Sequence, residues 1–446
     1  MKPALSLVLL TFLLQQANVA AQETATTRRS PIPQVRYELG PDSLVQDGVP
    51  KGTLEGPHLF HSKIIEGTVR KYWVYVPSQY SAAKPACLLV FQDGARAINP
   101  DGVIRVPQVL ENLIAKKQIP VTIGIFITPG QRGDEFPDEI GTGNPDNRDL
   151  EYDVLNDKYA RMLIEEILPE VGNKYKLTDD PAGRAIGGSS SGGICAFTVA
   201  WERPDAFRNV VSFIGSFTNI HGGHVYPDLV RNSPKKPIRI FLQDGVNDLR
   251  SPQNLERDWH IQNQKMVAAF KERDYDMAYV FGEGAHSDDH GGAMLPYMLR
   301  WIWRDYPGVE TSDEDPVAAA KAIKPVQQEL FPGFDANAEV DPSGAWTWER
   351  RGRNSTTFTV RLKKDGDTLS GTCETKRGDE AAQTVEIGDP VLEGNKLTFD
   401  VAREFGERTF TATYQGIVNG NEIKGWTMMT FNGSPRDFGW TAKRTD

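Results

Sequence analysis

The segment Ile186-Gly187-Gly188-Ser189-Ser190-Ser191-Gly192-Gly193 holds the most informative local pattern of the chain. Of its three serines, only Ser190 has glycine both two positions before it and two positions after it. The pattern lies between a predicted strand at 184–187 and a predicted helix at 192–202, where a sharp turn needs small residues because neighbouring backbone comes close. This context favours Ser190 as an exposed nucleophile over the alternative, a flexible Gly/Ser loop.

Strand-like and helix-like segments alternate on both sides of this turn. Continuous apolar runs at 86–91 and 121–127 are typical of strands buried on both faces, and helical periodicity follows at 106–114 and 158–168. Because this alternation extends over residues 52–308, we expect an α/β class domain with a mostly parallel sheet covered by helices. Combined with the Gly-x-Ser-x-Gly turn, this arrangement is typical of α/β-hydrolases.

A histidine is needed to activate the serine, because a serine hydroxyl is a poor nucleophile at neutral pH. In this fold the chain order is serine, acid, histidine. His286 lies in the loop after the last predicted strand, at the edge of the sheet where it can reach the turn. His290 is the competitor, although packing against the final helix is its alternative role.

Two aspartates follow the predicted strand at 238–242 and compete as the triad acid. Asp248 is preferred because it lies farther along the loop, which gives the chain room to bend back under His286. Asp244 stands at the strand end before Gly245, where a turn-forming role is the alternative. The predicted triad is therefore Ser190, His286 and Asp248, with Asp244 left open as the acid.

Acyl transfer also requires backbone N–H groups that stabilise the negative oxygen of the tetrahedral intermediate. The residue after the nucleophile, Ser191, supplies one predicted donor. The second is expected from Gly94 or Ala95, in the loop after the strand at 86–91. An ordinary turn at Asp93 and Gly94 is the alternative, and it is compatible with the same role.

Arg148 and Glu151 precede a predicted helix and are candidate substrate-binding residues. Two roles are open for them. They can pair with each other and brace the site, or Arg148 can bind a carboxylate of the substrate.

The first residues predict export. Residues 1–21 contain Lys2, a short apolar run and small residues ending at Ala21, which is the pattern of a cleaved signal peptide. We therefore expect a secreted or periplasmic protein, with a flexible leader at 22–51 and no membrane span. The formal net charge of −10 argues against nucleic acid and anionic lipid as partners.

The composition and the predicted secondary structure change after the hydrolase-like region. Residues 309–342 are a charge- and Ala-rich connector with a short predicted helix, and 343–446 contain successive strand-like runs separated by hairpin turns. This predicts an antiparallel β barrel or sandwich, faintly similar to lipocalin-like domains. Its role is either packing or contact with a polysaccharide or lipid through Trp348 and Trp426.

Cysteine and metal patterns add no further chemistry. Cys87, Cys195 and Cys373 cannot all pair, and burial as free thiols is the preferred interpretation, although one disulfide is possible. The run Asp288-Asp289-His290 is faintly metal-like, but a solvated loop is preferred because no second ligand cluster accompanies it. We expect neither a metal nor a cofactor.

Four groups of residues together resemble a known family. They are Val90-Phe91-Gln92-Asp93-Gly94, Arg148 with Glu151 and Tyr152, Gly188 to Gly193 around Ser190, and Gly284-Ala285-His286-Ser287. These residues are similar to the enterochelin-esterase-like and feruloyl-esterase-like branch of the esterase D group. The resemblance implies an α/β-hydrolase fold and metal-free cleavage of siderophore-type or carbohydrate-linked acyl esters.

These patterns lead to the hypothesis of a secreted serine esterase acting on a small-molecule or carbohydrate ester. Two other functions stay open: an acyltransferase on the same fold, and a non-catalytic carbohydrate-binding protein. An amino-terminal sandwich of the siderophore-hydrolase kind is not recognised, and the β domain is not part of the basic hydrolase. Both departures favour general ester hydrolysis over siderophore cleavage.

Overall fold

A computed structural model describes most of the chain after the amino terminus. The described residues are 31, 35–137, 145–310, 314–327, 329–350, 355–378, 380–405, 408–431 and 434–445. The predicted signal peptide at 1–21 lies outside them.

A mixed sheet forms the centre of the first domain. Its main strands are β1 Thr53–His61, β2 Thr68–Val76, β3 Cys87–Gln92, β4 Thr122–Ile127, β5 Arg184–Ser189, β6 Asn209–Phe213, β7 Arg239–Gly245 and β8 Asp276–Gly282. The order is β8-β7-β6-β5-β3-β4-β2-β1, and the short strand Gln131–Arg132 pairs with β2. Six neighbouring strands from β8 to β4 are parallel, whereas β2 and β1 join antiparallel at one edge.

Helices cover both faces of this sheet. They are α1 Gly94–Ala97, α2 Val106–Ala115, α3 Arg148–Tyr152, α4 Lys158–Arg161, α5 Leu168–Gly172, α6 Ser191–Glu202, α7 Tyr226–Asn232, α8 Trp259–Glu272, α9 Asp289–Ile302 and α10 Pro316–Ala322. A π-helical segment, Met162–Ile167, joins α4 to α5. Strands β3, β4 and β6 are buried along their whole length, because apolar cores fill both faces. The predicted α/β-hydrolase architecture is confirmed.

The described part of the predicted flexible leader is folded onto this domain, which corrects that expectation. Val35–Arg36 pairs with Val326–Gln327, and the hydroxyl of Tyr37 accepts a hydrogen bond of 2.8 Å from Glu283 N. The amide of Asn112 donates to the backbone oxygens of Asp42 and Leu44. Partly buried hydrogen bonds, rather than apolar periodicity, hold residues 37–44 against the domain, so composition alone suggested a loose segment.

The described residues of the second domain form a nearly closed antiparallel barrel of nine strands. These are β9 Gly344–Arg350, β10 Thr356–Asp365, β11 Thr368–Arg377, β12 Gln383–Glu386, β13 Gly388–Glu393, β14 Lys396–Phe405, β15 Arg408–Asn419, β16 Glu422–Phe431 and β17 Ser434–Arg444. Pairing of the first strand β9 with the last strand β17 joins the two halves of the order β12-β11-β10-β9-β17-β16-β15-β14-β13. The observed barrel agrees with the predicted antiparallel β domain.

Aromatic side chains form the centre of the barrel. Trp348 is buried and stacks on Phe358 with ring centroids 5.1 Å apart, and it also contacts Trp440. Trp426 is half-buried, and its indole N–H donates to Leu330 O of the connector at 2.9 Å. The burial of Trp348 favours the packing role for this ring.

All three cysteines are free and buried. Among the residues that the structure describes, no helix is long and apolar enough to cross a membrane.

Candidate active site

The turn between β5 and α6 places Ser190 in a strained backbone conformation, with φ 57° and ψ −119°. Two glycines make this turn possible. A Cβ atom on Gly188 would lie 2.5 Å from Gly192 O, and one on Gly192 would lie 3.0 Å from the Cβ of Gln92. Side chains at these positions would push the turn apart, which is the physical reason for the Gly-x-Ser-x-Gly spacing. The turn between β5 and α6 holds the Ser190 side chain above the edge of the sheet.

The three residues predicted as the triad lie in one hydrogen-bonded line. Ser190 Oγ is 2.9 Å from His286 Nε2, and His286 Nδ1 is 2.5 Å from Asp248 Oδ1. They are far apart in sequence but meet because the loops after β5, β7 and β8 share the carboxyl edge of the sheet. With Nδ1–H donating to Asp248, Nε2 is free to accept the proton of Ser190.

The carboxylate of Asp248 is buried and ionised. Leu249 N donates to Oδ1 at 2.5 Å, in addition to His286. Burial alone would raise the pKa of Asp248, but the charge and hydrogen bond of His286 hold it below its usual value. The acid is therefore suited to orient the imidazole and to stabilise its protonated form.

Asp244, the alternative acid, faces a different histidine. Its Oδ2 is 3.0 Å from His260 Nδ1, and its side chain is fully buried. The structure thus separates two Asp–His pairs that lie side by side. Nothing in the spacing of the sequence indicates His260 as the partner of Asp244.

His290, the alternative base, lies in the first turn of α9. Its ring stacks on Tyr37 with centroids 4.0 Å apart, and Nδ1 is 3.3 Å from the Gln243 amide nitrogen. Burial lowers the pKa of His290 to about 4. This histidine belongs to the packing between the amino-terminal segment and the sheet.

Two residues that the sequence did not reveal contact the triad. Ser216 Oγ is 3.2 Å from Ser190 Oγ and accepts a hydrogen bond of 3.2 Å from Trp259 Nε1. The Trp259 ring meets His286 edge-on, with centroids 5.6 Å apart. Both side chains restrict the movement of the nucleophile and the base, and neither belongs to a recognisable sequence motif.

The predicted oxyanion-hole segments lie next to each other. Ser191 N belongs to the first turn of α6, and the loop before α1 approaches this turn because Gly192 lies against Gln92. A Cβ atom on Gly94 would lie 2.5 Å from Ile127 N, so glycine is required there by close packing. Ala95 is exposed. The choice of Gly94 or Ala95 as second donor stays a prediction.

Arg148 and Glu151 brace the site, but not by pairing with each other as expected. Arg148 instead binds Asp93 through two hydrogen bonds, of 2.9 Å and 2.6 Å. The carboxylate of Glu151 is buried against Arg70, with hydrogen bonds of 2.8 Å and 3.1 Å. It also accepts from Asn147 Nδ2 at 2.7 Å. These contacts give both side chains a positioning role within the protein, and their assignment as substrate-binding residues stays a prediction.

The loop between His286 and α9 forms one rim of the site. The side chain of Asp288 accepts hydrogen bonds from Ser189 Oγ and from Arg96 Nη1, the latter at 3.2 Å. Within the described parts of the chain, no group of three or more His, Cys, Asp or Glu side chains is arranged to hold a metal ion.

Comparison with known proteins assigns a family. Residues 62–289 match the family described as "Putative esterase". The chain belongs to this esterase family. The matched region contains Ser190, Asp248 and His286, and it confirms the esterase resemblance found in the motifs.

Individual relatives are distant. The "Uncharacterized protein YbbA" of Bacillus subtilis (strain 168) is 22% identical over 209 residues, which are 46% of this chain and 80% of that protein. The enterobactin esterase FES from Shigella flexneri is 20% identical with a TM-score of 0.46, and the match covers 62% of this chain and 63% of that one. The chain thus spans less than two thirds of that structure.

A second solved structure is the ferulic acid esterase AmCE1/Fae1A from the anaerobic fungus Anaeromyces mucronatus. It is 18% identical with a TM-score of 0.46, and the match covers 62% of this chain and 100% of that one.

Proposed function

We propose that this family member is a secreted serine hydrolase that cleaves carboxylic esters, with Ser190 as nucleophile, His286 as general base and acid, and Asp248 as orienting acid. The observation that carries the proposal is the unbroken hydrogen-bonded line from Ser190 Oγ through His286 to buried Asp248. The strained backbone at Ser190 supports it, since strain of this kind persists where the surrounding structure holds a functional side chain in place.

The reaction follows from the positions of these atoms. Ser190 Oγ attacks the ester carbonyl carbon while its proton moves to His286 Nε2. The N–H of Ser191 and that of Gly94 or Ala95 stabilise the oxygen that becomes negative. His286 then gives the proton to the leaving alcohol oxygen. Water attacks the acyl-serine with His286 as base, which releases the carboxylic acid and restores the serine.

The proposed substrates are small-molecule or carbohydrate-linked acyl esters, with siderophore-type esters included. The four motifs shared with the enterochelin-esterase-like and feruloyl-esterase-like branch support this class. The motifs do not distinguish water from an alcohol as the acceptor, so an acyltransferase is the alternative activity.

A chromogenic acyl ester tests the proposal. Ser190→Ala is expected to abolish both turnover and covalent labelling by a fluorophosphonate, whereas the neighbouring Ser189→Ala retains both. Mass spectrometry of the labelled peptide after digestion locates the label. Retained labelling in Ser190→Ala would contradict the assignment. Repeating turnover with an alcohol acceptor separates hydrolysis from acyl transfer, because only a transferase forms a new ester in preference to the acid.

Export is a separate part of the proposal, and the pattern of residues 1–21 supports it. The mature protein is expected to begin at Gln22 and to accumulate outside the cytoplasm. Mass spectrometry of the exported chain checks this, and an intact Met1 in that fraction would contradict cleavage.

A further inference from the structure

A second Asp–His pair lies directly behind the proposed triad. His260 Nδ1 is 3.0 Å from Asp244 Oδ2, and the amide nitrogen of Gln264 is 3.0 Å from His260 Nε2. Asp244 and His260 are both buried. Because the Gln264 amide nitrogen donates to Nε2, the hydrogen of neutral His260 sits on Nδ1 and is donated to Asp244.

The two aspartates face each other through oxygens that lack any other partner. Asp244 Oδ1 and Asp248 Oδ2 are both fully buried, and within the described part of the chain neither oxygen has a hydrogen-bond partner. The two side chains are within hydrogen-bonding reach of each other. Two carboxylates are acceptors only, so two such oxygens in contact repel each other unless a proton lies between them. A single proton satisfies both.

The remaining contacts decide which aspartate holds that proton. Asp248 already accepts hydrogen bonds from Leu249 N and from His286 Nδ1, and both favour its ionised form. Asp244 accepts from His260, which is neutral in a buried setting. The proton therefore belongs to Asp244.

We propose that Asp244 is a protonated carboxylic acid that donates a hydrogen bond to the triad acid Asp248, so that Gln264, His260 and Asp244 form a positioning chain behind the catalytic residues. This inference rests on the proposed function. The hydrogen bonds of this series all run in one direction: Gln264 donates to His260, His260 donates to Asp244, and Asp244 donates to Asp248. Asp244 thereby fixes the rotamer of Asp248 without adding a second negative charge next to His286.

The charges around Asp244 agree with this assignment. Burial, followed by the negative charge of Asp248, raises the pKa of Asp244 well above its usual value. Asp258 adds a further negative charge, although Arg250 pairs with it at 2.9 Å. Burial and the charge of Arg250 lower the pKa of His260, which keeps its ring neutral.

A neutral carboxylic acid and an amide have the same shape, and both can donate to Asp248 and accept from His260. Asp244→Ala removes the donor and is expected to lower kcat about 10- to 100-fold, since small displacements of a catalytic group have effects of this size. Asp244→Asn is expected to keep most of the wild-type kcat. It should also leave the acidic limb of the kcat/KM pH profile in place, because no charge is removed.

An infrared difference spectrum between the wild-type protein and Asp244→Asn at neutral pH tests the proton directly. The carbonyl band of a protonated carboxylic acid is expected in the wild-type protein and absent from the variant. This readout needs no turnover, so it applies even if Asp244→Ala does not fold or if the esterase proposal fails. Failure of the esterase proposal would appear separately, as absence of fluorophosphonate labelling at Ser190.

Three results would overturn the inference. One is the absence of the infrared band. Another is an Asp244→Asn variant as impaired as Asp244→Ala, with its acidic limb shifted to lower pH by loss of a negative charge. The third is a folded Asp244→Ala variant with wild-type kcat.

Discussion

The guanidinium of Arg148 holds the carboxylate of Asp93 with two hydrogen bonds, and its Nη2 also donates to Ser189 O at 3.3 Å. One side chain thereby joins α3, the loop after β3 and the end of β5. Asp93 adopts a left-handed backbone with φ 54° immediately before Gly94. The pair fixes the loop that carries the predicted oxyanion donors relative to the nucleophile.

Arg148→Met is expected to destabilise the fold by about 3–5 kcal/mol, because it leaves the buried carboxylate of Asp93 without its partner. Urea unfolding at neutral pH measures the effect. Arg161→Met is the matched control, since Arg161 pairs with Glu165 at the surface, and its loss should change stability little. Equal effects of the two substitutions would show that the Arg148–Asp93 pair does not brace the fold.

Asp248→Asn is expected to lower kcat by about four orders of magnitude while the fold is kept. The amide keeps the shape of the acid but stabilises the imidazole tautomer with the hydrogen on Nε2, which cannot accept the proton of Ser190. Steady-state kinetics at matched folded fraction measures this. A loss of less than tenfold would remove Asp248 from the triad.

Asp153 gives the protein a pH-dependent stability. It is buried, and this burial raises its pKa from 3.8 to about 6. The folded state therefore binds more protons than the unfolded chain between these values, so stability is lost as pH rises through about 6.

Asp153→Asn removes this titration, because an amide carries no charge to bury. The variant should gain up to about 3 kcal/mol over the wild-type protein at pH near 8, and the gain should vanish near pH 4. Urea unfolding at both pH values measures it. Asp149→Asn, at an exposed neighbour, controls for loss of a charge in the same segment. A gain that does not depend on pH would contradict the assignment.

The connector contributes to the catalytic domain, which sets where the chain can be shortened. Val317, Ala320 and Ile323 pack with the core that lies under α9. A chain ending at Gln327 is expected to fold and hydrolyse a small soluble ester, whereas one ending at Tyr306 exposes this apolar surface and loses solubility. Circular dichroism and turnover compare the two chains. Full activity of the Gln327 chain on a polymeric ester would argue against a targeting role for the barrel.

The local features of the fold follow from the sequence. The apolar run in β3 and the glycines around Ser190 act on neighbours close in the chain, so their patterns predict a buried strand and a sharp turn. The order of serine, acid and histidine along the chain followed from the fold class. That class places the loops after β5, β7 and β8 at the carboxyl edge of the sheet. These rules led to Ser190, His286 and Asp248 from the sequence.

Only the tertiary structure decided which partners these side chains take. Arg70 and Glu151 are 81 positions apart, and Asp244 meets His260 because α8 packs behind β7. Such contacts depend on the paths of several loops, and a single sequence carries no periodic signal for them. The folded segment at 35–51 could not be predicted for the same reason, because its polar contacts are with α2 and with the loop after β8, which are distant in sequence. Sequence alone thus predicted the candidate triad, while burial and long-range packing determined how its side chains are held.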